Sequence, residues 1–264
     1  MLDYCYHTHT YRCGHAEGTD EEFVQAAIQA GIKTLGFSDH IFLPGVHDPY
    51  SRGDYEMLGD YVSSIRALKA KYARDIKIHL GFESEYFPAF DDYYRRLLKD
   101  GIVEYLILGH HFLYENGRIS FYYGMCKTPN QIKEYADGVV RGMETGLFKY
   151  VAHPDLFMAG YRGGRLDPDI HDVIVKICEA SKRLDIPLEI NLGSMRFRGL
   201  FHDGFEMRYL YPYEPFWEIA GEMGCKVLIG VDAHHPNELL GKEYLYAEGL
   251  IEKYHLNAIR HIDI

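Results

Sequence analysis

Short apolar runs alternate along the chain with longer segments in which apolar residues recur every three to four positions. The short runs are typical of buried β-strands, and the longer segments are typical of amphipathic helices. Because the two kinds of segment alternate, the pattern predicts an α/β fold with a parallel sheet, and seven repeats favour closure into a barrel. The predicted strands are Leu2–His7, Thr34–Ser38, Lys77–Phe82, Tyr105–Leu108, Tyr150–His153, Leu188–Asn191 and Val227–Val231.

The first predicted helix begins with a capping-box spacing, because Thr19 can cap it and Glu22 lies three residues on. Gly31 is expected to end it. Six further helices are predicted over residues 54–71, 91–98, 130–144, 168–183, 215–223 and 238–254. Four long connections follow strand C-termini and should cover that end of the barrel: Ile41–Arg52, Phe112–Thr128, Leu156–Leu166 and Gly193–Tyr213.

The length of 264 residues fits one domain over residues 1–264, since βα barrels run to about 250 residues undivided. No apolar run approaches the roughly 20 residues that a membrane-spanning helix needs. The first strand begins almost at once, which leaves no space for a signal peptide. These features predict a cytoplasmic protein with no membrane partner. The oligomeric state is left open.

Charge and cysteine content narrow the function classes further. The formal net charge is −11, and no run of lysine and arginine reaches the density of a nucleic-acid patch, so no nucleic-acid partner is expected. A small phosphate ester is not excluded, because bound metal ions can supply local positive charge. Five cysteines without a C-x-x-C pair indicate reduced thiols rather than a disulfide framework.

The predicted strands end in polar residues, which is unusual for buried segments. Barrels of βα units carry their chemistry at the C-terminal ends of the strands, so these endings point to one convergent, metal-rich site. His7 and His9 are two positions apart, a spacing that places two imidazoles on one face of a strand. Glu83 follows an apolar run and could bridge two ions. Further candidates end the other strands: Asp39, His40, His110, His111, His153, Asp155, Asn191, Asp232 and His234.

This set of histidines and carboxylates resembles the PHP family, the polymerase and histidinol phosphatase domain, over almost the whole chain. The resemblance implies a distorted (β/α)7 TIM-like barrel that holds three divalent ions, for which zinc, iron and manganese are all suitable. It also implies nine metal ligands: His7, His9, His15, His40, Glu83, His111, His153, Asp232 and His234. His110 competes with His111 for one position, and the family motif favours His111.

The resemblance also implies how the site would act on a phosphate ester. Glu83, Asp232 and His234 are the predicted catalytic residues around a metal-bridging hydroxide nucleophile. Arg196 and Arg162 are the predicted phosphate-binding residues, because a planar guanidinium matches phosphate geometry, and Arg198 competes with Arg196. The residues themselves also suggest that Asp39 and Asp155 orient ligand imidazoles, although a structural role for either is almost as well supported.

Several motifs resemble the stand-alone histidinol-phosphate phosphatase branch of the family. That branch hydrolyses L-histidinol phosphate to L-histidinol and phosphate in histidine biosynthesis. The motifs are Ser38–His40, Gly81–Tyr86 and Ala152–Leu156, together with the Glu-Ile-Asn segment that precedes Arg196. Residues 51–57 depart from the family pattern and residues 199–213 are unusually aromatic, and both regions could line the pocket for the alcohol portion of the substrate.

Three alternatives stay open at this point. The first is a relative that acts on another phosphomonoester, such as phosphotyrosine or a nucleotide. The second is an amidohydrolase-type C–N hydrolase, which usually needs a bridging lysine that this sequence does not place on a mid-barrel strand. The third is an inactive metal-binding module, although such proteins normally lack some of the ligands.

Overall fold

The structure is a computed structural model that describes residues 2–165 and 167–264. Four parallel strands stand side by side in chain order: β1 (Tyr4–Cys5), β2 (Thr34–Phe37), β3 (Lys77–Ser84) and β4 (Tyr105–Leu108). The other described strands are β5 (Phe112–Glu115), β6 (Arg118–Tyr122), β7 (Leu188–Asn191), β8 (Phe201–His202), β9 (Met207–Arg208), β10 (Lys226–Gly230) and β11 (Asn257–Ala258).

The parallel strands curl into a distorted barrel, which confirms the predicted fold class. Val151 bridges Leu108 on one side and Leu188 on the other, so a single residue joins β4 to β7. Beyond β7 follows β10, and a bridge between Thr8 and Ala233 connects the end of β10 back to the first strand. The predicted strand Tyr150–His153 is reduced to the two bridges of Val151, and the chain turns at His153, where φ is 29°.

The lower end of the barrel, where the strands begin, contains an additional short strand. There β11 pairs in parallel with Lys226 and Val227 of β10. The Tyr4 hydroxyl accepts a hydrogen bond from the Ile229 amide at 3.1 Å and lies 3.5 Å from the Ile259 carbonyl. Sequence patterning did not predict β11, since a two-residue exposed strand has no apolar alternation to detect.

The helices largely follow the predicted segments. Thr19 and Glu22 form the expected capping box of α1, and Gly31 ends that helix with φ 79°. The predicted helix over residues 238–254 is instead a 3-10 helix, Pro236–Leu240, followed by a separate α-helix, because Gly241 has an extended backbone. The helices are α1 (Asp20–Ala30), α2 (Leu58–Lys71), α3 (Asp91–Lys99), α4 (Pro129–Glu144), α5 (Pro168–Leu184), α6 (Gly193–Phe197), α7 (Glu214–Glu222) and α8 (Tyr244–Lys253).

The barrel interior is divided into two halves of different chemistry. The lower half is a compact cluster of Tyr4, Tyr6, Tyr105, Ile107, Tyr150, Ala152 and Leu228. The Tyr105 ring crosses close to Gly36 and Gly81, where a Cβ would lie 2.3 and 2.4 Å from its atoms. The upper half, at the C-terminal ends of the strands, holds histidines and carboxylates. The main apolar core fills the layer between the strands and the surrounding helices.

The long connections carry structure that the sequence did not predict. The connection after β4 contains the antiparallel β5–β6 hairpin, and the connection after β7 contains α6 and the β8–β9 hairpin. Leu166, which ends the predicted connection Leu156–Leu166, lies outside the described residues. Within residues 2–165 and 167–264, no helix combines the length and apolar character needed to cross a membrane.

Candidate metal centre

The nine side chains predicted to bind metal all lie in the upper half of the barrel. His7 and His9 follow β1, His40 follows β2 and Glu83 lies on β3, and each is buried. The other five come from the loops at the same end, and among them His15 is the most exposed. The strand order therefore brings together residues that are up to 227 positions apart, as His7 and His234 are.

Two carboxylates organise the centre of the group. His7 Nε2 lies 3.4 Å from an oxygen of Glu83 and 3.4 Å from an oxygen of Asp232. His9 Nε2 has nearly the same surroundings, at 3.4 Å from Glu83 and 3.2 Å from Asp232. The two imidazoles of the His-x-His motif thus face the same pair of carboxylates.

Glu83 presents its two oxygens to different histidines. Oε1 lies 2.8 Å from His153 Nε2 and 3.4 Å from His111 Nε2. Oε2 lies 3.2 Å from His40 Nδ1, on the side of His7 and His9. This arrangement suits a carboxylate that bridges two cations, since each oxygen has its own set of nitrogen neighbours.

A third group gathers at the outer edge of the cluster. His234 Nε2 lies 3.2 Å from His15 Nε2, and His234 Nδ1 lies 3.4 Å from Asp232. The ring centres of His9 and His234 are 4.3 Å apart, and those of His9 and His40 are 4.4 Å apart. Ligand atoms of His9, His40 and His234 lie close enough together to hold one ion.

The donor atoms are arranged as ligands of metal ions rather than as hydrogen-bond partners of one another. Within the described residues, His7 Nε2, both ring nitrogens of His9 and Asp232 Oδ1 are buried without a hydrogen-bond partner. Such atoms are costly to bury unless they are paired or coordinate a metal. Ligands about 2.1 Å from a tetrahedral zinc ion lie about 3.4 Å from one another, close to the separations observed here. The cluster therefore supports binding of divalent metal.

The pKa shifts of the clustered side chains also favour the binding of cations. Burial disfavours protonation of His7, but Glu189, Asp232 and Glu83 outweigh it and raise its pKa well above the ordinary value. Burial, together with His234, lowers the pKa of His9 to about 3. Burial opposes ionisation of Glu83 and Asp232, yet the surrounding histidines hold both pKa values well below their usual range. The two carboxylates are thus negative groups that cations stabilise.

Two of the residues have unusual backbone conformations. Asp232 has φ 52° and His153 has φ 29°, and non-glycine residues in this region are strained by about 1–3 kcal/mol. Both side chains point into the cluster. The surrounding structure therefore holds these two residues in place against a local conformational cost.

Glycines leave space for the carboxylates. A Cβ at Gly109 would lie 2.1 Å from Glu83 Oε1, and a Cβ at Gly193 would lie 2.5 Å from Asp232 Oδ2. The third example is Gly230, where a Cβ would lie 1.8 Å from Glu189 Oε1. Small residues on neighbouring segments thus make room for each of these acidic side chains in the barrel.

The structure separates the two adjacent histidines that follow β4. His111 faces the cluster, and its Nε2 lies 3.0 Å from His153 Nε2. His110 faces the other way, where its ring stacks on Tyr123 at 4.9 Å between centres and lies over Gly138. Of the two histidines, His111, which the family motif favours, is thus the one whose ring lies in the cluster.

Asp39 and Asp155 make contacts other than the predicted ones. Asp39 accepts hydrogen bonds from the backbone and hydroxyl of Thr10, both at 2.6 Å. Asp155 accepts one from the Tyr213 amide at 2.7 Å, and burial raises its pKa to about 6. Neither has a hydrogen bond to a histidine ring within the described residues. Both carboxylates hold loops above the barrel instead.

Two other carboxylates contact the imidazoles of predicted ligands, and neither contact was predicted from the sequence. Glu189 lies 2.8 Å from His7 Nδ1, and Glu85 lies 3.3 Å from His111 Nδ1. Glu85 also forms a buried two-point pair with Arg52, at 3.0 and 3.1 Å. Strand alternation is the signal that could have found Glu189, because it lies two positions before Asn191 and faces the same side.

The arginines predicted to bind phosphate lie in different surroundings. Arg196 on α6 donates to the carbonyls of Val231 and Asp232 at 2.6 and 2.9 Å, and its Nη1 is buried without a described partner. Arg162 donates to the carbonyls of Met158, Ala159 and Tyr161 and lies over the Phe201 ring. Arg198 lies over the same ring. Of these three arginines, Arg196 is thus the one that donates a hydrogen bond to the backbone of a predicted ligand, Asp232.

A cavity of about 230 Å³ opens above the cluster. Its base contains His15, His40, Glu83, His111, His153, Asp232 and His234. Its walls come from three of the long connections and consist of Tyr50, Ser51, Phe112, Tyr122 and Tyr211. Outside the predicted ligands, the wall is therefore uncharged and largely aromatic.

Sequence comparison places this geometry in a known family. The model of the PHP domain matches residues 6–193, more than half of the chain, and the chain therefore belongs to the PHP domain family. Asp232 and His234 lie beyond the matched residues yet complete the cluster. A protein of Deinococcus radiodurans named probable histidinol-phosphatase is 28% identical over 241 residues, which cover 88% of this chain and 86% of that protein.

Two solved structures share the fold. hisK of Listeria monocytogenes superimposes with a TM-score of 0.71 at 21% identity, covering 92% of this chain and 99% of that one. A histidinol phosphate phosphatase of Lactococcus lactis, complexed with zinc, L-histidinol and phosphate, has a TM-score of 0.70 at 17% identity. The match covers 100% of this chain and 99% of that one.

Proposed function

We propose that the protein is a metal-dependent phosphomonoesterase that hydrolyses L-histidinol phosphate to L-histidinol and phosphate, a step of histidine biosynthesis. The observation that carries the proposal is the convergence of nine histidine and carboxylate side chains, six of them buried, in the upper half of the barrel. The names of the Deinococcus radiodurans and Lactococcus lactis relatives support the substrate. We assign the whole chain, residues 1–264, to this one domain.

We propose that the nine side chains hold three divalent transition-metal ions, with zinc, iron and manganese as candidates. When bound, such ions supply Lewis-acid activation of water and neutralise phosphoryl oxygens. Glu83 would serve two ions through its separate oxygens. Asp232 and His234 would complete the centre from the last strand and its loop, and these three residues would lie nearest the reacting atoms.

The chain's own residues supply positioning. Arg196 is the preferred phosphate-binding candidate, because its buried guanidinium retains an unpartnered Nη1 beside the Asp232 backbone. Arg162 is the weaker candidate, since its Nη1 is held by three carbonyls. The largely aromatic wall of the cavity offers flat surfaces to the alcohol portion of the ester.

The other functions have less support. A different phosphomonoester is the main alternative, because phosphoryl chemistry needs only the cluster and an anion-binding group. An amidohydrolase-type enzyme would need a bridging lysine, and the cavity walls formed by described residues contain none. An inactive module is disfavoured because all nine donor side chains are present and converge.

We also propose a cytoplasmic location. All five cysteines are free and buried in the structure. Reduced thiols are the normal state in the cytosol.

Phosphate release provides the test. Purified protein should hydrolyse histidinol phosphate with kcat/KM at least about a hundredfold above that for phosphotyrosine peptides and nucleotides, or about 2.7 kcal/mol. A hundredfold preference for another ester would overturn the substrate assignment but keep the reaction. No hydrolysis of any phosphomonoester by metal-loaded protein would overturn the function itself.

A further inference from the structure

Glu189 joins two of the predicted metal ligands, although it is not one of the predicted nine. Its Oε1 lies 2.8 Å from His7 Nδ1, and its Oε2 accepts a hydrogen bond from the His153 amide at 3.2 Å. We propose that Glu189 is a positioning residue that fixes the His7 ring and the His153 backbone so that both Nε2 atoms face Glu83. The proposal rests on the metal-binding roles proposed above for His7 and His153.

The contact with His7 determines which ring nitrogen is free. A neutral imidazole has one N–H donor and one acceptor nitrogen. When Nδ1–H donates to the Glu189 carboxylate, the lone pair is left on Nε2, which lies 3.4 Å from both Glu83 and Asp232. A carboxylate behind a ligand imidazole fixes the ring orientation in this way and increases its basicity.

The contact with His153 acts through the backbone. His153 has φ 29°, a conformation that carries strain for a non-glycine residue. The hydrogen bond from its amide to Glu189 stabilises this turn. The turn directs the ring towards Glu83, where His153 Nε2 lies 2.8 Å from Oε1.

The hydrogen-bond pattern requires a carboxylate at position 189. Three donors meet its two oxygens: His7 Nδ1, the His153 amide and the Asn191 side-chain amide, the last at 2.8 Å. A glutamine could accept with one oxygen only and would turn its own N–H groups towards the remaining donors. Glu189 is wholly buried, so an unmet donor beside it would be costly.

Asn191 extends the same network towards the phosphate-binding candidate. Its side-chain oxygen accepts a hydrogen bond from the Gly193 amide at 2.8 Å, at the first residue of α6. That helix carries Arg196, which donates to the Asp232 carbonyl. Glu189 therefore contacts two ligand segments directly, and it reaches the helix of Arg196 through one intervening side chain.

The protein contains a matched contact for comparison. His79 Nδ1 lies 2.6 Å from Glu104, the same kind of pair, but neither residue belongs to the cluster. Glu189→Gln and Glu104→Gln thus each remove a carboxylate from a histidine Nδ1, although Glu104 is partly exposed and also pairs with Lys69. We expect Glu189→Gln to weaken zinc affinity by about 10–100-fold, as for other residues behind metal ligands. Glu104→Gln should leave the affinity within about twofold.

Zinc affinity of the purified full chain can be measured by competition with a chromophoric chelator. Nitrogen-15 NMR of histidine-labelled, zinc-loaded wild-type protein then tests the proposed geometry without a mutation. We expect His7 to carry its proton on Nδ1. An unprotonated Nδ1 on His7 would overturn the proposal, as would unchanged zinc affinity in a folded Glu189→Gln variant. If that variant does not fold, the protonation of His7 Nδ1 in the wild-type spectrum still tests the proposal.

Phosphate release by the same samples separates this proposal from the proposed function. Wild-type protein that binds zinc with His7 protonated on Nδ1, but hydrolyses no phosphomonoester, supports the positioning role and contradicts the function. Active wild-type protein with equal zinc affinity in Glu189→Gln supports the function and contradicts the positioning role.

Discussion

The two halves of the barrel interior are built on the same strands but satisfy their polar atoms in different ways. In the lower half, the Tyr105 hydroxyl lies 2.8 Å from the Tyr6 carbonyl and 3.0 Å from the Phe37 carbonyl. In the upper half, buried nitrogens of His7 and His9 have no described partner. Within the described residues, one hydroxyl of the lower-half cluster, that of Tyr150, is buried without a partner, whereas four atoms of His7, His9 and Asp232 lack one in the upper half, where cations could pair with them.

This difference shows where stability and function lie in the fold. Close packing, together with the paired hydroxyls of Tyr4 and Tyr105, makes the lower half a structural core. The upper half combines unpartnered donors, two strained backbone positions and buried carboxylates, which are features of functional sites. Substitutions in the two halves should therefore affect different measurements.

The largest expected effect comes from Glu83, because its two oxygens face histidines on different sides of the cluster. Glu83→Gln keeps the shape of the side chain but removes its charge. We expect kcat/KM for histidinol phosphate to fall by about ten-thousandfold, or about 5 kcal/mol, while circular dichroism shows a folded protein. Activity within tenfold of wild type would show that the cluster does not carry the reaction.

The buried pair of Arg52 and Glu85 should give the largest effect on stability. Arg52→Met removes the arginine that pairs with the Glu85 carboxylate. We therefore expect the free energy of unfolding, measured with urea at neutral pH, to fall by about 3–4 kcal/mol. Burial opposes ionisation of Glu85, but Arg52, with a further contribution from His111, holds its pKa at about 2, below its ordinary value of 4.5. The pair therefore stabilises the fold above about pH 4.5 and loses its effect as the pH falls towards 2.

A control for this prediction removes both charges. Arg52→Met with Glu85→Leu should recover most of the lost stability, since no unpaired charge is left. Stability of Arg52→Met equal to that of wild type at pH 7 would show that the pair contributes little.

Two glycine substitutions compare the halves directly. Gly36→Ala would place a Cβ 2.3 Å from the Tyr105 hydroxyl, and Gly109→Ala would place one 2.1 Å from Glu83 Oε1. We expect overpacking to cost about 2 kcal/mol of unfolding free energy in each metal-free protein. Only Gly109→Ala should also weaken zinc binding, as measured by chelator competition. Equal zinc affinities in the two variants would contradict the functional division of the barrel.

The smallest effect is expected for Tyr105→Phe. The change removes one buried hydroxyl that lies within hydrogen-bond distance of two carbonyls, so unfolding free energy should fall by about 1 kcal/mol. Turnover of histidinol phosphate should stay within about twofold of wild type. A large loss of activity at unchanged stability would mean that the lower half takes part in the reaction.

The sequence predicted the barrel because its strands and helices have strong periodicity. It failed at β11 and at the β8–β9 hairpin, where two-residue strands carry no pattern. It also predicted one helix over residues 238–254, where Gly241 separates two. Short elements are set by the contacts around them, which a linear pattern does not contain.

The candidate site could be predicted where a motif places donors at strand ends, as for His7, His9 and Asp232. Glu189 and Glu85 were not predicted, because each lies two positions from a residue that was already taken as a candidate, Asn191 and Glu83 respectively. Asp39 and Asp155 were predicted behind imidazoles, but they hold Thr10 and Tyr213 instead. Which side chain a carboxylate contacts depends on loop paths that residue spacing does not define.

The metal content of active protein, purified without a metal-binding tag, tests the central claim most directly. Elemental analysis should find three divalent transition-metal ions per chain in samples that hydrolyse histidinol phosphate. Removing the ions should abolish turnover, and adding them back should restore it. Fewer than two ions per chain in fully active protein would contradict the account.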